Sequence, residues 1–508
     1  MGKKTLILSL ASGILLFLSF PKFDLSFLVW FSLVPLLSAL QRVSLGEAFR
    51  LGLATGLVYN IGIIYWVSFV VVQYGYLPLY LGFFVMLLLA LYLGLYVSLF
   101  SAGVVFFKRK GINEIISAPI LWTCLEYAKS HLFTGFPWEN LAYSLHGMIS
   151  FIQVADITGT YGLTFVIVLV NCILYEIITV TSESKKRVLS GLIVGSAVIV
   201  LVFCYGMYRL DGMENAAKEM RTENVAIVQG NIDQSVKWND KYQSDTLKIY
   251  RKLSLGMSES GVNLIVWPET AAPFFFQNID DKHRYIINIA KEANSYLLFG
   301  SPSYIRKGSK NLFLNSAYLI SPGGEITGRY DKIHLVPYGE YVPLRRVFFF
   351  LEKLVVGVGD FIPGKGPVPL TVGDEKAGVL ICYEGIFPQI SRSYKKKGAT
   401  LLVNITNDAW FGTSSAPYQH LTMAAFRAIE NRLYIIRAAN TGISAIISPT
   451  GEIISRTGLF ERTALSGRVG FIDECTFYSK YGNVFIYLCF ICLTGIFFIS
   501  SKRRKTND

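Results

Sequence analysis

A polytopic α-helical membrane domain of about eight spans, joined to an extracytoplasmic α/β sandwich, is the fold class that three observations predict. Hydrophobic residues make up 52% of the 508 positions and charged residues only 16%, against roughly a quarter charged in an ordinary soluble domain. The charge deficit concentrates before about residue 210 and after about 481. Between them, from Asn224 to Phe471, short β-rich runs alternate with polar, helix-compatible stretches, the pattern of an α/β layer fold rather than a bundle. A chain this long also exceeds what one hydrophobic core organises, so at least two folding units are expected.

Apolar runs at 5–20, 25–40, 48–72, 77–107, 115–128, 161–180, 188–208 and 483–500 supply the eight candidate spans, since a bilayer core takes about 20 helical residues. The first, second and fifth are short, and the fifth contains Pro119 and ends near Glu126. Charge placement tests the count independently, because lysine and arginine in short loops favour the cytoplasmic side. Lys3 and Lys4, Arg42 and Arg50, Lys108 to Lys110, Lys185 to Arg187, and Lys502 to Lys505 all fall on one side of this topology. Both termini are therefore expected in the cytoplasm, and the first run is read as an uncleaved helix rather than a signal peptide. The expected organisation is 1–208 with about seven membrane helices, 209–480 as the extracytoplasmic domain, and 481–508 as a last helix with a basic tail. The outer loop at 129–160 holds Phe136, Pro137, Trp138 and Phe151, which read as interfacial anchors with a lid or lipid-guiding role as the alternative.

The net charge of +13 does not point to nucleic acid, because the basic residues sit in short clusters between apolar runs. Seven scattered cysteines form no CxxC pair and no metal-ligand spacing, and only Cys382 and Cys475 lie in the soluble part. A transporter or receptor would favour ionisable groups in mid-span. Glu126 and Glu176 sit near the ends of runs instead.

In the soluble part, strands are predicted at 225–228, 264–267, 296–299, 317–320, 378–382, 401–405 and 444–447, and helices at 240–258, 280–293, 388–397 and 417–431. The run Ile320-Ser321-Pro322-Gly323-Gly324-Glu325-Ile326 recurs as Ile447-Ser448-Pro449-Thr450-Gly451-Glu452-Ile453, each a strand, a turn and a returning strand. The echo supports a two-sheet plan, although coincidental hairpin chemistry explains it more simply.

Three segments carry reactive side chains at the ends of apolar strands, where α/β folds hold their sites. They are Leu264-Ile265-Val266-Trp267-Pro268-Glu269, Tyr330-Asp331-Lys332-Ile333-His334, and Val379-Leu380-Ile381-Cys382-Tyr383-Glu384. Taken singly, Cys382 reads as core packing, Lys332 as a solvated surface charge and Glu269 as a helix cap. Together and in this order they resemble the Glu-Lys-Cys triad of the nitrilase superfamily.

Three further motifs narrow the resemblance: Gln229-Gly230-Asn231, the stretch from Lys332 through His334, Glu340 and Tyr341 to Pro343, and Asn407-Asp408-Ala409-Trp410-Phe411-Gly412. With the membrane frame, they are similar to the apolipoprotein N-acyltransferase family over essentially the whole chain. The resemblance implies a nitrilase-like αββα sandwich on the periplasmic side of a bacterial inner membrane. It implies Cys382 as nucleophile, Glu269 as general base and acid, Lys332 as oxyanion stabiliser and Glu340 as a supporting acid. Trp238, Tyr383, Glu384 and Trp410 are implied as walls or loops that handle lipid, with aromatic core packing the competing reading for both tryptophans. The implied partners are a phospholipid acyl donor, a diacylglyceryl apolipoprotein acceptor and membrane lipid, with no metal and no cofactor. A membrane-tethered carbon–nitrogen hydrolase that passes the thioester to water is the nearest rival. His334 and His420 read as hydrogen-bonded scaffold, since no Asn or Asp partner for a Cys-His site is identifiable in the sequence.

Overall fold

The computed structural model describes residues 2–181, 185–258, 261–341 and 361–502. Val342 and Pro343 of the Lys332 motif and the basic residues from Arg503 onward lie outside this set. The described chain divides into two units, one built from residues up to Val72, Leu77–Asp211 and the stretch from Tyr481, the other from Gln73–Tyr76 and Gly212–Lys480.

The first unit is helical. Four of its helices among the described residues are long and apolar enough to cross a bilayer: Leu79–Arg109, Thr160–Ile178, Val188–Glu219 and Val484–Ser501. A fifth span results if Leu45–Ile64 and Trp66–Gly75, bent by 52°, count as one. The run predicted at 25–40 is not one helix. It forms a 3-10 turn at Ser26–Trp30 and a short helix at Val34–Ala39. The break leaves backbone groups that must find partners away from water. Asn171 supplies them, donating from Nδ2 to the Val29 carbonyl at 2.8 Å and accepting from the Leu33 N–H at 2.8 Å. The helix Glu114–His131 carries Pro119 inside it and three buried charged side chains, Glu114, Glu126 and Lys129. Glu126 accepts from the Leu141 N–H at 2.7 Å and the Thr164 hydroxyl at 2.6 Å, pinning the 3-10 turn Leu141–Leu145.

The aromatic segment after this helix departs from expectation. Trp138 is not an exposed anchor but is buried, with its ring centroid 4.9 Å from that of Trp66 and 6.2 Å from that of Phe136. Phe151 packs edge-on against Trp30. The exposed ring of this stretch is Phe133, at 90%.

The second unit is a two-sheet sandwich. Its strands are β1 (Thr222–Gln229), β2 (Leu264–Val266), β3 (Tyr296–Lys307), β4 (Lys310–Ile320), β5 (Ile326–Asp331), β6 (Leu370–Val372), β7 (Glu375–Ile381), β8 (Leu401–Thr406), β9 (Ile435–Ala439), β10 (Ala445–Ile447), β11 (Ile453–Arg456) and β12 (Thr463–Gly470). One sheet runs β12-β1-β2-β3-β4-β5 and the other β11-β10-β9-β8-β7-β6. The two have the same design. In the first, β1, β2 and β3 are parallel and β4 and β5 return antiparallel. In the second, β7, β8 and β9 are parallel and β10 and β11 return antiparallel. Each sheet gains one antiparallel strand beside its first parallel one, β12 on β1 and β6 on β7.

The sequence echo falls on equivalent hairpins of this repeat. Both have a register shift at the last residue pair of the strand, where Ile320 pairs with Ile326 and Ile447 with Ile453. Both close through the same bonds: Ser321 N–H to Glu325 O and Ser448 N–H to Glu452 O, each 2.8 Å. Both place a glycine at positive φ, Gly324 at 89° and Gly451 at 84°, where a side chain would be strained. Coincidental turn chemistry does not account for this match in register.

Helices Asp240–Ser258 and Asp281–Ala293 connect the parallel strands of the first sheet. Their apolar faces, including Leu247, Tyr250, Ile286 and Ile289, share one buried cluster with Trp267, Phe299 and Tyr318 of that sheet. Pro388–Lys396 and Ala416–Asn431 play the same connecting part in the second sheet. Strands β5, β6, β9, β11 and β12 had no counterpart among the strands expected singly, because their runs are short or half polar. Pairing with neighbours, rather than intrinsic preference, makes such segments strands.

Candidate active site

The three motif segments leave the sandwich at the ends of β2, β5 and β7. After β2, Trp267 prolongs the pairing with β3 through its N–H on the Leu298 carbonyl at 2.8 Å. Its ring is fully buried, centred 4.7 Å from Tyr250, with Nε1 donating to the Ser254 hydroxyl at 2.9 Å. This anchor delivers Glu269 two residues later. Gly300 on β3 lies directly beneath, where an added Cβ would stand 2.7 Å from Glu269 Cα, so only glycine lets the two backbones approach this closely.

After β5, the Lys332 N–H bonds the Asn315 carbonyl at 2.8 Å and the ammonium is 1% exposed. Its Nζ is 2.9 Å from Glu340 Oε2 and 3.8 Å from Glu269 Oε1. Glu340 is fixed in turn by the Val336 N–H, which donates to its Oε2 at 2.8 Å. Asn315 links the two acids: its Nδ2 donates to Glu269 Oε1 and to Glu340 Oε1, both at 2.8 Å. Burial draws the Lys332 pKa down, but the charges of Glu340 and then Glu269 outweigh it, so the group stays protonated well above its ordinary value.

After β7, Cys382 opens a 3-10 turn with φ at +53°, a left-handed conformation that non-glycine residues adopt at a cost and that concentrates at functional sites. The thiol is half-buried. Burial, and then the negative charge of Glu269, push its pKa up, while Lys332 opposes them. At rest it is therefore a thiol, and a nucleophile here needs a base. Burial also raises the Glu269 carboxyl, against the pull of Lys332. A raised carboxyl both takes and returns protons more readily near neutral pH.

Two buried networks hold the Cys382 turn. Glu384 Oε1 accepts from the Tyr330 hydroxyl at 2.8 Å and from the N–H groups of Ile333 and His334 at 2.8 and 3.1 Å. Its Oε2 accepts from the Ile381 N–H at 2.8 Å. Glu384 is fully buried, so it is not the lipid-handling wall expected; it clamps the Lys332 segment to the Cys382 segment. Burial brings its carboxyl up to about 7 against the pull of these donors. On the other side, His420 Nε2 lies 3.2 Å from the Cys382 carbonyl oxygen and Nδ1 lies 3.0 Å from Asp408 Oδ1. Arg437 Nη2 donates to Asp408 Oδ2 at 2.7 Å. Histidine thus has the acidic partner that was not identifiable from sequence. It contacts the Cys382 main chain, which makes it scaffold.

Trp238, Tyr383 and Trp410 are half-buried. Trp238 caps the short helix Gln234–Lys237. Tyr383 packs edge-on against Phe387 at 5.0 Å. Trp410 meets Tyr74 edge-on at 4.7 Å, and the Tyr74 hydroxyl donates to the Ala409 carbonyl at 3.0 Å. His334 packs at a tilt against Phe387, ring centroids 3.9 Å apart, and is held neutral, at about 4, by burial and the Lys332 charge. Cys475 is exposed and outside this constellation. Among the described residues no group of three or more His, Cys, Asp or Glu side chains is placed to hold a metal ion.

Sequence reading missed Asn315, Lys237 and Arg437, and quoted Asp408 only as part of the motif at 407–412, without a role. Lys237 is 2% exposed and donates from Nζ to the Glu269 carbonyl at 3.2 Å. Its one legible signal is its position between the Gln229-Gly230-Asn231 motif and Trp238.

Residues 224–470 match the carbon-nitrogen hydrolase family, and residues 12–173 match the apolipoprotein N-acyltransferase N-terminal domain. The chain is 44% identical to an apolipoprotein N-acyltransferase of Geobacter metallireducens over 99% of its own length and 96% of the relative's. It is 32% identical to one of Pasteurella multocida over 95% and 93%. Among solved structures, an amidase from Nesterenkonia sp. matches 53% of this chain and 96% of its own, at 20% identity and a TM-score of 0.39.

Proposed function

The chain belongs to the apolipoprotein N-acyltransferase family, and from that premise we propose that it moves a fatty acyl group from a membrane phospholipid, through a thioester on Cys382, to the N-terminal α-amine of a diacylglyceryl-cysteine apolipoprotein. The observation that carries the reading is a half-buried thiol in the combined field of one buried carboxylate and one buried ammonium.

In the first half-reaction the Cys382 sulfur attacks the phospholipid ester carbonyl as its proton passes to Glu269. The oxyanion that forms is stabilised by the Lys332 ammonium, whose charge Glu340 sustains. Collapse breaks the ester C–O bond, and Glu269 returns the proton to the departing lysophospholipid oxygen. In the second half-reaction the acceptor amine attacks the thioester and gives its proton to Glu269. The C–S bond breaks, the sulfur recovers a proton, and an amide is released. Trp238, Tyr383 and Trp410, half-buried in the same unit, are the residues we assign to acyl-chain contact.

Eight crossings, with the bent pair as one and the three short apolar segments as the rest, would put both termini in the cytoplasm and this site on the periplasmic face of the inner membrane. The placement suits substrates that stay in the bilayer, because the basic clusters then lie inside.

Purified protein incubated with phospholipid vesicles is expected to gain one acyl mass on the Cys382 peptide and to lose it on addition of a diacylglyceryl peptide. Cys382→Ser should abolish the thioester and Cys475→Ser should retain it. Discharge to free fatty acid without amide would instead indicate a hydrolase.

A further inference from the structure

Lys237 is a buried cation that the cycle above does not use. It ends the short helix Gln234–Lys237, whose N-cap Asp233 accepts from the Ser235 N–H at 2.7 Å. The preceding loop is tied to the second sheet on both sides. Asn440 accepts from the Ile232 N–H at 2.9 Å and donates to the Ile232 carbonyl at 2.8 Å, while Asn407 donates to Gln234 Oε1 at 2.8 Å. So held, the side chain reaches under β2 and bonds the main-chain carbonyl of Glu269, leaving that residue's carboxylate to Asn315 and Lys332. The titratable groups facing it are Glu269 and Cys382. Those groups in turn face Lys332, Glu340 and Asp408, and Asp408 is paired with His420 and Arg437.

We propose that Lys237 is a positioning residue of the acyl-transfer cycle, the second ammonium that makes the buried cluster electrically neutral before and after the Cys382 proton moves to Glu269. The proposal rests on Cys382 as nucleophile. Glu269 and Glu340 carry two negative charges, and Lys332 alone compensates one. With Lys237 these four groups sum to zero, and Glu384, which also faces Lys332, adds no charge below its own value of about 7. Moving the proton from sulfur to carboxylate shifts the negative charge without changing that sum. Without Lys237 the same transfer takes place in a desolvated site that already holds one net negative charge, where a thiolate is disfavoured. Burial, against the opposing pull of Glu269 and Cys382, brings the Lys237 ammonium down to about 7. Its charge is therefore available at and below neutrality.

The test is iodoacetamide alkylation of Cys382 in the detergent-solubilised full chain, followed against pH by mass on the Cys382 peptide. Lys237→Met and Lys237→Gln are two uncharged variants of different packing, and Lys237→Arg keeps the charge. The uncharged variants are expected to be labelled about tenfold more slowly than the parent at pH 6, the equivalent of roughly one pH unit in the thiol, with the difference closing above about pH 8 as Lys237 itself loses its proton, and Lys237→Arg to stay nearer the parent. A folded uncharged variant labelled as fast as the parent at pH 6 overturns the proposal. Alkylation needs no acyl donor, so failure of the parent protein to form a thioester would refute the acyltransferase reading without deciding this one.

Discussion

Replacing Asn315 by leucine removes the amide that donates to both acids while leaving its backbone carbonyl for the Lys332 N–H. Glu340 keeps two other partners, the Lys332 ammonium and the Val336 N–H. Among the described residues the Glu269 carboxylate keeps only the longer 3.8 Å approach of Lys332. The loss therefore falls mainly on the orientation of Glu269. A hydrogen bond to a charged group contributes about 1.5–3 kcal/mol, and each 1.36 kcal/mol is a factor of ten in rate, so thioester formation should slow about 10- to 150-fold. The assay is single-turnover acylation, reading the acyl adduct on the Cys382 peptide over time, with circular dichroism to establish folding. Leucine keeps the four-atom branched skeleton of asparagine with bulkier methyl ends, and only a folded variant is scored. A folded variant that acylates within about threefold of the parent would refute the idea that the amide positions the base.

Gly300→Ala should push the Glu269 backbone away from β3, because the new Cβ meets Glu269 Cα at 2.7 Å; overpacking of this kind costs about 1–3 kcal/mol, and a lowered melting temperature with slowed acylation is expected. Glu384→Ala strands the Tyr330 hydroxyl and three N–H donors, at about 1–3 kcal/mol for each donor that water does not reach, so thermal unfolding should reveal a loss of roughly 3 kcal/mol or more. Glu269→Gln should separate reactivity from catalysis. The negative charge of Glu269 raises the Cys382 pKa, so its removal lowers the alkylation midpoint even as acyl transfer fails for want of a base; an unchanged or higher midpoint would contradict the electrostatic account.

Much of the catalytic unit was readable in one dimension. Glu269, Lys332 and Cys382 each follow an apolar strand in a long, specific motif, and strand ends are where this class of fold keeps its chemistry. The echo between 320–326 and 447–453 marked a repeat whose full extent emerged only when both hairpins proved to occupy the same place in their sheets. Hydropathy also located the helical unit, because the bilayer imposes a length and a polarity that composition alone can meet.

What pairs with what was settled by folding. The interruption after Trp30 is stable because Asn171, far along the chain, fills the backbone bonds that a helix would have made. Glu384 looks in sequence like a neighbour of Cys382 turned outward, yet the 3-10 turn aims its carboxylate inward at four donors. Lys237 and Asn315 stand in no reactive motif. They matter because the order β1-β2-β3-β4 brings their segments against the end of β2. A motif records residue types and spacing along the chain, whereas charge balance and hydrogen-bond satisfaction depend on distances across it, and those exist only once the strands have paired.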